Sequence, residues 1–110
     1  MTTKEVKELS TSYIANGYVL GKCWGGGSGS YPARRYSNTD KEALVEEITK
    51  DFKSGALDSG FGFESLLAAE MEITTVSSVE IDGKEYTNES VENLTLGEDK
   101  YIEALDEMIY

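Results

Sequence analysis

Residues 21 to 36, GKCWGGGSGSYPARRY, set six consecutive glycines and serines beside a tryptophan, two tyrosines and two arginines. Glycine-rich stretches of this kind can wrap phosphate. A P-loop requires Gly-x-x-x-x-Gly-Lys-Ser/Thr, whose backbone N–H groups cradle the phosphates while the lysine reaches their outer oxygens. Here Tyr31 and Pro32 follow Ser30, so the lysine is missing, and Gly25, Gly26, Gly27 and Gly29 cannot be laid on Gly-x-Gly-x-x-Gly. Other catalytic chemistry is equally short of parts. The chain has no histidine to act as a neutral-pH base, and its single cysteine, Cys23, has no imidazole to make it a thiolate. One cysteine builds neither a zinc site nor an internal disulfide, and no Asp-x-Asp-x-Asp-Gly calcium loop occurs. With 21 acidic residues, two carboxylates meet by chance almost anywhere, so paired acids carry no catalytic signal. The sequence reads as that of a non-enzyme without metal or cofactor.

What the residues do offer is negative charge. The 110 residues carry a net −11, unevenly placed. Residues 1–36 hold five basic and two acidic groups, +3, which leaves −14 for residues 37–110. Such a surface repels nucleic acid and attracts basic proteins. In EDKYIEALDEMIY, at 100° per residue, Tyr101, Ile102, Leu105, Met108 and Ile109 fall in one stripe and Asp99, Glu103, Asp106 and Glu107 in another. Together with Glu47 and Asp51 of an earlier helix, these four are the candidate partner-binding residues, standing in for phosphates. The alternative is a solvated face whose acidity serves solubility. Lys22, Arg34 and Arg35 with Trp24 and Tyr36 make only one small basic and aromatic patch, so no direct nucleic-acid binding is expected. The glycine-serine run reads as a hairpin tip, a flexible lip from which Trp24, Tyr31, Arg34 and Arg35 could contact a partner, or else a tolerated surface insertion.

The elements that must position these groups give one α+β domain over residues 1–110, a mainly antiparallel sheet with about three to four helices packed on it. Thr2-x-x-Glu5 predicts a capping box, followed by a short helix through Val6, Leu9 and Tyr13 to Asn16-Gly17. GYVLGKCWG and YPARRYS read as strands around the glycine loop. Thr39-x-x-Glu42 caps a second helix in which Leu44, Ile48 and Phe52 recur every four residues, with Gly55 ending it. Phe63, Leu66 and Leu67 start a short helix to Glu70. EITTVSSVEI is a strand, turned by Asp82-Gly83 through a type I′ hairpin into KEYTN, with VENLTL as a further short strand before the terminal helix. No apolar run approaches the roughly 20 residues that span a bilayer, and MTTKEVKELS lacks an apolar signal region, so a cytoplasmic protein is expected.

The run YSNTDKEALVEEITKDFKSGALDSGFGFESLLAAEMEITTVSSVEIDGKEYTNES resembles small proteins carried by phages and integrated elements of Gram-positive bacteria. Its order of a strand, a helix ending in FKSG, an acidic short helix and a β segment is similar to that of small acidic anti-CRISPR proteins. The resemblance covers roughly residues 31–90 and rests on layout and charge, and no family residue transfers individually. It implies an inhibitor that occupies the DNA-binding surface of an RNA-guided nuclease with carboxylates in place of phosphates. The basic first third and the glycine loop depart from that pattern. The alternative function is a non-catalytic interaction module or homodimer.

Overall fold

The structure, a computed structural model, describes residues 6 to 109, so the Thr2-x-x-Glu5 capping box lies outside the described residues. The elements run β1 (Val6–Lys22), β2 (Ser28–Pro32), β3 (Tyr36–Asn38), α1 (Lys41–Ser54), β4 (Ser65–Ile81), β5 (Lys84–Gly97) and α2 (Asp99–Ile109). Every strand pairing is antiparallel, in the order β2-β1-β4-β5, with β3 beside β2 along the same edge of β1.

Two of the expected helices are strand instead, so the expectation of three to four helices is corrected to two among the described residues. The first, through Val6, Leu9 and Tyr13, is the start of β1. Its apparent helical spacing comes from a bulge between Glu8 and Ser10, which shifts the two-residue alternation by one. Asn16-Gly17, read as a helix end, is strand interior. A Cβ on Gly17 would sit 2.0 Å from the Glu70 carbonyl oxygen, so glycine there lets β1 and β4 close on each other. The second, Phe63 to Glu70, is loop followed by the start of β4. Leu66, Leu67, Ala68 and Ala69 are apolar in succession because the sheet is covered on both faces at this point, which erases the alternation that marks a half-buried strand.

That double cover divides the core. On one face Leu44 and Ile48 of α1, with Leu57 beyond it, pack on Ala15, Val19, Ala69, Met71 and Ile73. On the other, Leu105 of α2 packs on Leu20 and Ala68. Helix α1 starts one residue later than the sequence suggests: the N-cap is Asp40, not Thr39, and its carboxylate accepts from the N–H groups of Glu42 and Ala43. Gly55 ends the helix in the left-handed conformation. Asp82 and Gly83 both take positive φ, as the tight hairpin between β4 and β5 requires.

Neither helix reaches the far half of the long strands. No side chain of residues 7–14 or 74–98 is fully buried, and beyond Tyr13, Thr75 and Ser90 the first half of β1, the second half of β4 and the start of β5 project as a three-stranded arm. The molecule is accordingly long, 69 × 24 × 19 Å.

Candidate acidic interface

Side chains alternate across a sheet, so the strand register states which carboxylates share a face. On the face that carries α2, β4 contributes Glu70, Glu72 and Glu80, and β5 contributes Glu85 and Glu89. Asp99, Glu103 and Glu107 follow at four-residue intervals along α2 and are all exposed, so the acidic surface runs from the arm across the sheet and onto the helix. Among the described residues, Lys7, Lys22 and Lys100 are the cations on this side. Lys100 pairs with Glu98 at 3.5 Å and lies over the Tyr101 ring.

The six expected partner-binding residues do not form one surface. Glu47 and Asp51 belong to α1, on the opposite face of the sheet from α2. Glu47 is exposed, but Asp51 is half-buried and accepts a 2.6 Å hydrogen bond from the Tyr36 hydroxyl. Burial, together with that bond, makes the Tyr36 proton harder to remove. Asp106 also leaves the exposed stripe and turns inward against Glu70, while Met108, assigned to the apolar stripe, is 48% exposed.

The Glu70–Asp106 pair was not legible in the sequence, because the two meet only once Glu70 is placed on a strand under α2. One oxygen of each, Glu70 Oε2 and Asp106 Oδ1, is shut off from solvent without a further partner. The hydrogen bond to Asp106, then burial, then the neighbouring negative charge push the Glu70 carboxyl up to about 7. Glu72 faces the same way two residues along, and the last turn of α2 has no basic residue to offset the charge. Glu70 and Glu72 also line a cavity of about 250 Å³ with Asn16, Tyr18, Pro32 and Ala33. The chemistry of this pair is to share a proton. Among the described residues no group of three or more His, Cys, Asp or Glu is arranged to hold a metal ion.

A raised carboxyl makes folding favour the protonated form. Between the ordinary carboxyl pKa and about 7 the native state keeps a proton that the unfolded chain has released, so stability falls as pH rises through that window. Glu70→Gln, whose amide can donate to Asp106 at every pH, should raise stability at pH 8 by about 1 kcal/mol and flatten the difference in Tm between pH 5 and pH 8. A wild-type pH dependence identical to that of the variant would remove the proton from the pair.

The glycine-rich loop is a hairpin tip, as its flanks suggest. Gly25, Gly26 and Gly27 turn the chain with positive φ, while Ser28 to Ser30 already pair with β1. Its aromatic lip is tied down by the loop DSGFGF, in which Gly60 and Gly62 predict a sharp turn and take positive φ. The Asp58 carboxylate accepts N–H bonds from Gly60, Phe61, Gly62 and Phe63 at 2.8–3.2 Å. Partial burial works to raise its pKa, but the four amide bonds outweigh it and hold the carboxyl below its ordinary value. The fixed loop presents Phe61 to Tyr31 and Phe63, with ring centroids 5.4 and 4.3 Å apart, and offers the Gly62 carbonyl to the Trp24 indole N–H at 3.0 Å. Trp24 is nonetheless 73% exposed. The signal that could have found the Asp58 clamp is an aspartate just before closely spaced glycines, since Asp bonds backbone N–H groups two or more residues on. Arg34 and Arg35 are exposed, and the Arg34 N–H donates to the Leu57 carbonyl.

No helix among the described residues is long and apolar enough to cross a membrane. Comparison of the chain with protein-family models, with curated proteins and with solved structures finds no match in any of the three.

Proposed function

We propose that this chain is a non-catalytic inhibitor that lays its α2-bearing face on a basic surface normally occupied by nucleic-acid phosphates. The observation that carries the reading is the continuity of exposed carboxylates on one face, from Glu85 and Glu89 through Glu72 to Asp99, Glu103 and Glu107. They are strung along a rod whose cross-section of 24 × 19 Å is close to that of a nucleic-acid duplex. A row of fixed negative charges on such a rod competes for the Lys and Arg side chains that position a phosphate backbone. The acidity shared with anti-CRISPR proteins favours an RNA-guided nuclease as the target and a phage or mobile element as the carrier, although the short acidic helix of that layout is the start of β4 in this chain.

The test is competition. Purified guide-loaded nuclease is titrated with this protein across a salt series, with duplex DNA as competitor. The expected result is binding that excludes DNA and weakens steeply as salt rises. Replacing Glu72, Glu103 and Glu107 by Gln and Asp99 by Asn keeps the shapes and removes the charges. This variant should fold normally, bind at least about tenfold more weakly and show a flatter salt slope. Unchanged affinity and slope would reduce the face to solvation.

A further inference from the structure

Strand β5 ends the sheet, and among the described residues nothing pairs along its outer edge. A free edge is a row of unpaired N–H and C=O groups that templates further strands, which proteins discourage with charged side chains or interrupt with a proline, a bulge or a covering element. On the opposite side of the sheet such interruptions are present: β2 ends in Pro32, and the unpaired stretch of β1, residues 6–12, carries the bulge at Leu9. β5 has neither. Lys84–Gly97 contains no proline, and its register on β4 runs from Ile81↔Lys84 to Ala68↔Gly97 without a shift. Residues 84–93 are all exposed, Tyr86 and Val91 among them.

The charges along this edge decide what fits it. Two identical antiparallel strands related by a two-fold axis set residues of like parity opposite each other, so each face of the sheet continues across the junction. The charged residues of β5 are Lys84, Glu85, Glu89 and Glu92. Registers centred on Glu85, Thr87, Glu89 or Glu92 set glutamate against glutamate, which is destabilising. Of the symmetric registers, the one centred on Asn88 sets unlike charges opposite each other, Lys84 of each copy against Glu92 of the other, with the two Asn88 amides face to face. Both charged residues lie on the α1 face, where Lys41 already holds Glu92.

We propose that β5 is a homodimer interface, in which two copies pair antiparallel about Asn88 to form one continuous sheet. This joins the two arms side by side and covers an edge that neither a proline nor a bulge interrupts. It is independent of the proposed target, since it asks for no basic partner.

Sedimentation velocity over a concentration series tests it with the purified protein. The wild type should be a dimer at high concentration. Lys84→Glu and Glu92→Lys each set like charges opposite one another twice per dimer and should each weaken self-association about tenfold or more. Mixed together, the two variants restore both unlike pairs and should form a heterodimer while neither dimerises well alone. Amide exchange at residues 84–92 should slow as concentration rises, and circular dichroism should show both variants folded. A wild type that stays monomeric throughout would overturn the proposal, as would a dimer indifferent to both substitutions or variants that fail to associate when mixed. If the protein is monomeric and a Lys/Arg-rich extended peptide protects β5 instead, the edge belongs to a foreign strand and the homodimer is wrong.

Discussion

Ile48→Ala should cost about 2–5 kcal/mol, the range for emptying a fully enclosed aliphatic site. Ile48 is 0% exposed, on the α1 face that meets the strand residues Val19, Ala69 and Met71. The core on this side is one layer of side chains between one helix and one sheet, so little can move in to fill the space. Phe52, one turn further along and equally prominent in the sequence, is only partly buried and should lose less on truncation than Ile48. Urea unfolding followed by circular dichroism checks both, with an unchanged m-value showing that the loss is in packing. A cost below about 1 kcal/mol for Ile48→Ala would contradict its place at the centre of the core.

Asp58→Ala should cost about 2–3 kcal/mol, because one carboxylate holds four N–H groups and hydrogen bonds to a charged acceptor are the stronger kind. The damage should spread beyond the loop. A Cβ at Gly21 would sit 2.2 Å from the Phe63 ring, so Phe63 is seated directly on β1, and releasing its loop uncovers Gly21. Asp58→Asn keeps one acceptor oxygen of two and should fall between wild type and alanine. The depressed pKa also fixes a pH dependence. This contribution is fully present above the ordinary aspartate value and is lost as pH falls through the lower folded value. Glu70 acts in the opposite sense, losing stability as pH rises toward about 7. Between the two, Tm should be highest near pH 4–5. Asp58→Ala should erase the acid-side fall and Glu70→Gln the fall on the neutral side. Thermal melts from pH 2 to 8 on the three proteins separate these effects.

The sequence disclosed most where local chemistry decides the structure. Leu44 and Ile48 mark α1 through a period no strand could show, Gly55 closes it, and Asp82-Gly83 suits only a tight hairpin. It misled where the decision is made far along the chain. Whether Val6–Gly17 and Leu66–Glu70 are helix or strand depends on distant partners, Met71–Ile81 for the first and Tyr18–Gly21 for the second, and their lengths and apolar spacing suit either. The site divides the same way. Asp99, Glu103 and Glu107 follow from helical phase alone. Asp106 shares that phase but faces Glu70, and the sheet glutamates that extend the acidic face become visible only through the β4–β5 register. Glu47 and Asp51 could not be separated from the α2 set without knowing that the two helices lie on opposite sides of the sheet.

The long pairing of β1 with β4 sets the order in which the molecule must assemble. Val6 meets Ile81 and Lys22 meets Ser65, so every bond of that ladder closes a loop containing β2, β3 and α1. The β4–β5 ladder closes over a two-residue turn and can zip from Asp82-Gly83 outward. A topology dominated by distant contacts folds slowly, in milliseconds to seconds. During synthesis β1 leaves the ribosome first, yet it must wait for β4 to be made. Until then only β2 and β3 shield it, along residues 13–22 of one edge. The bulge at Leu9 falls in the part they leave bare, but it is a feature of the pairing with β4, so until β4 arrives residues 6–12 are an open template for a stray strand.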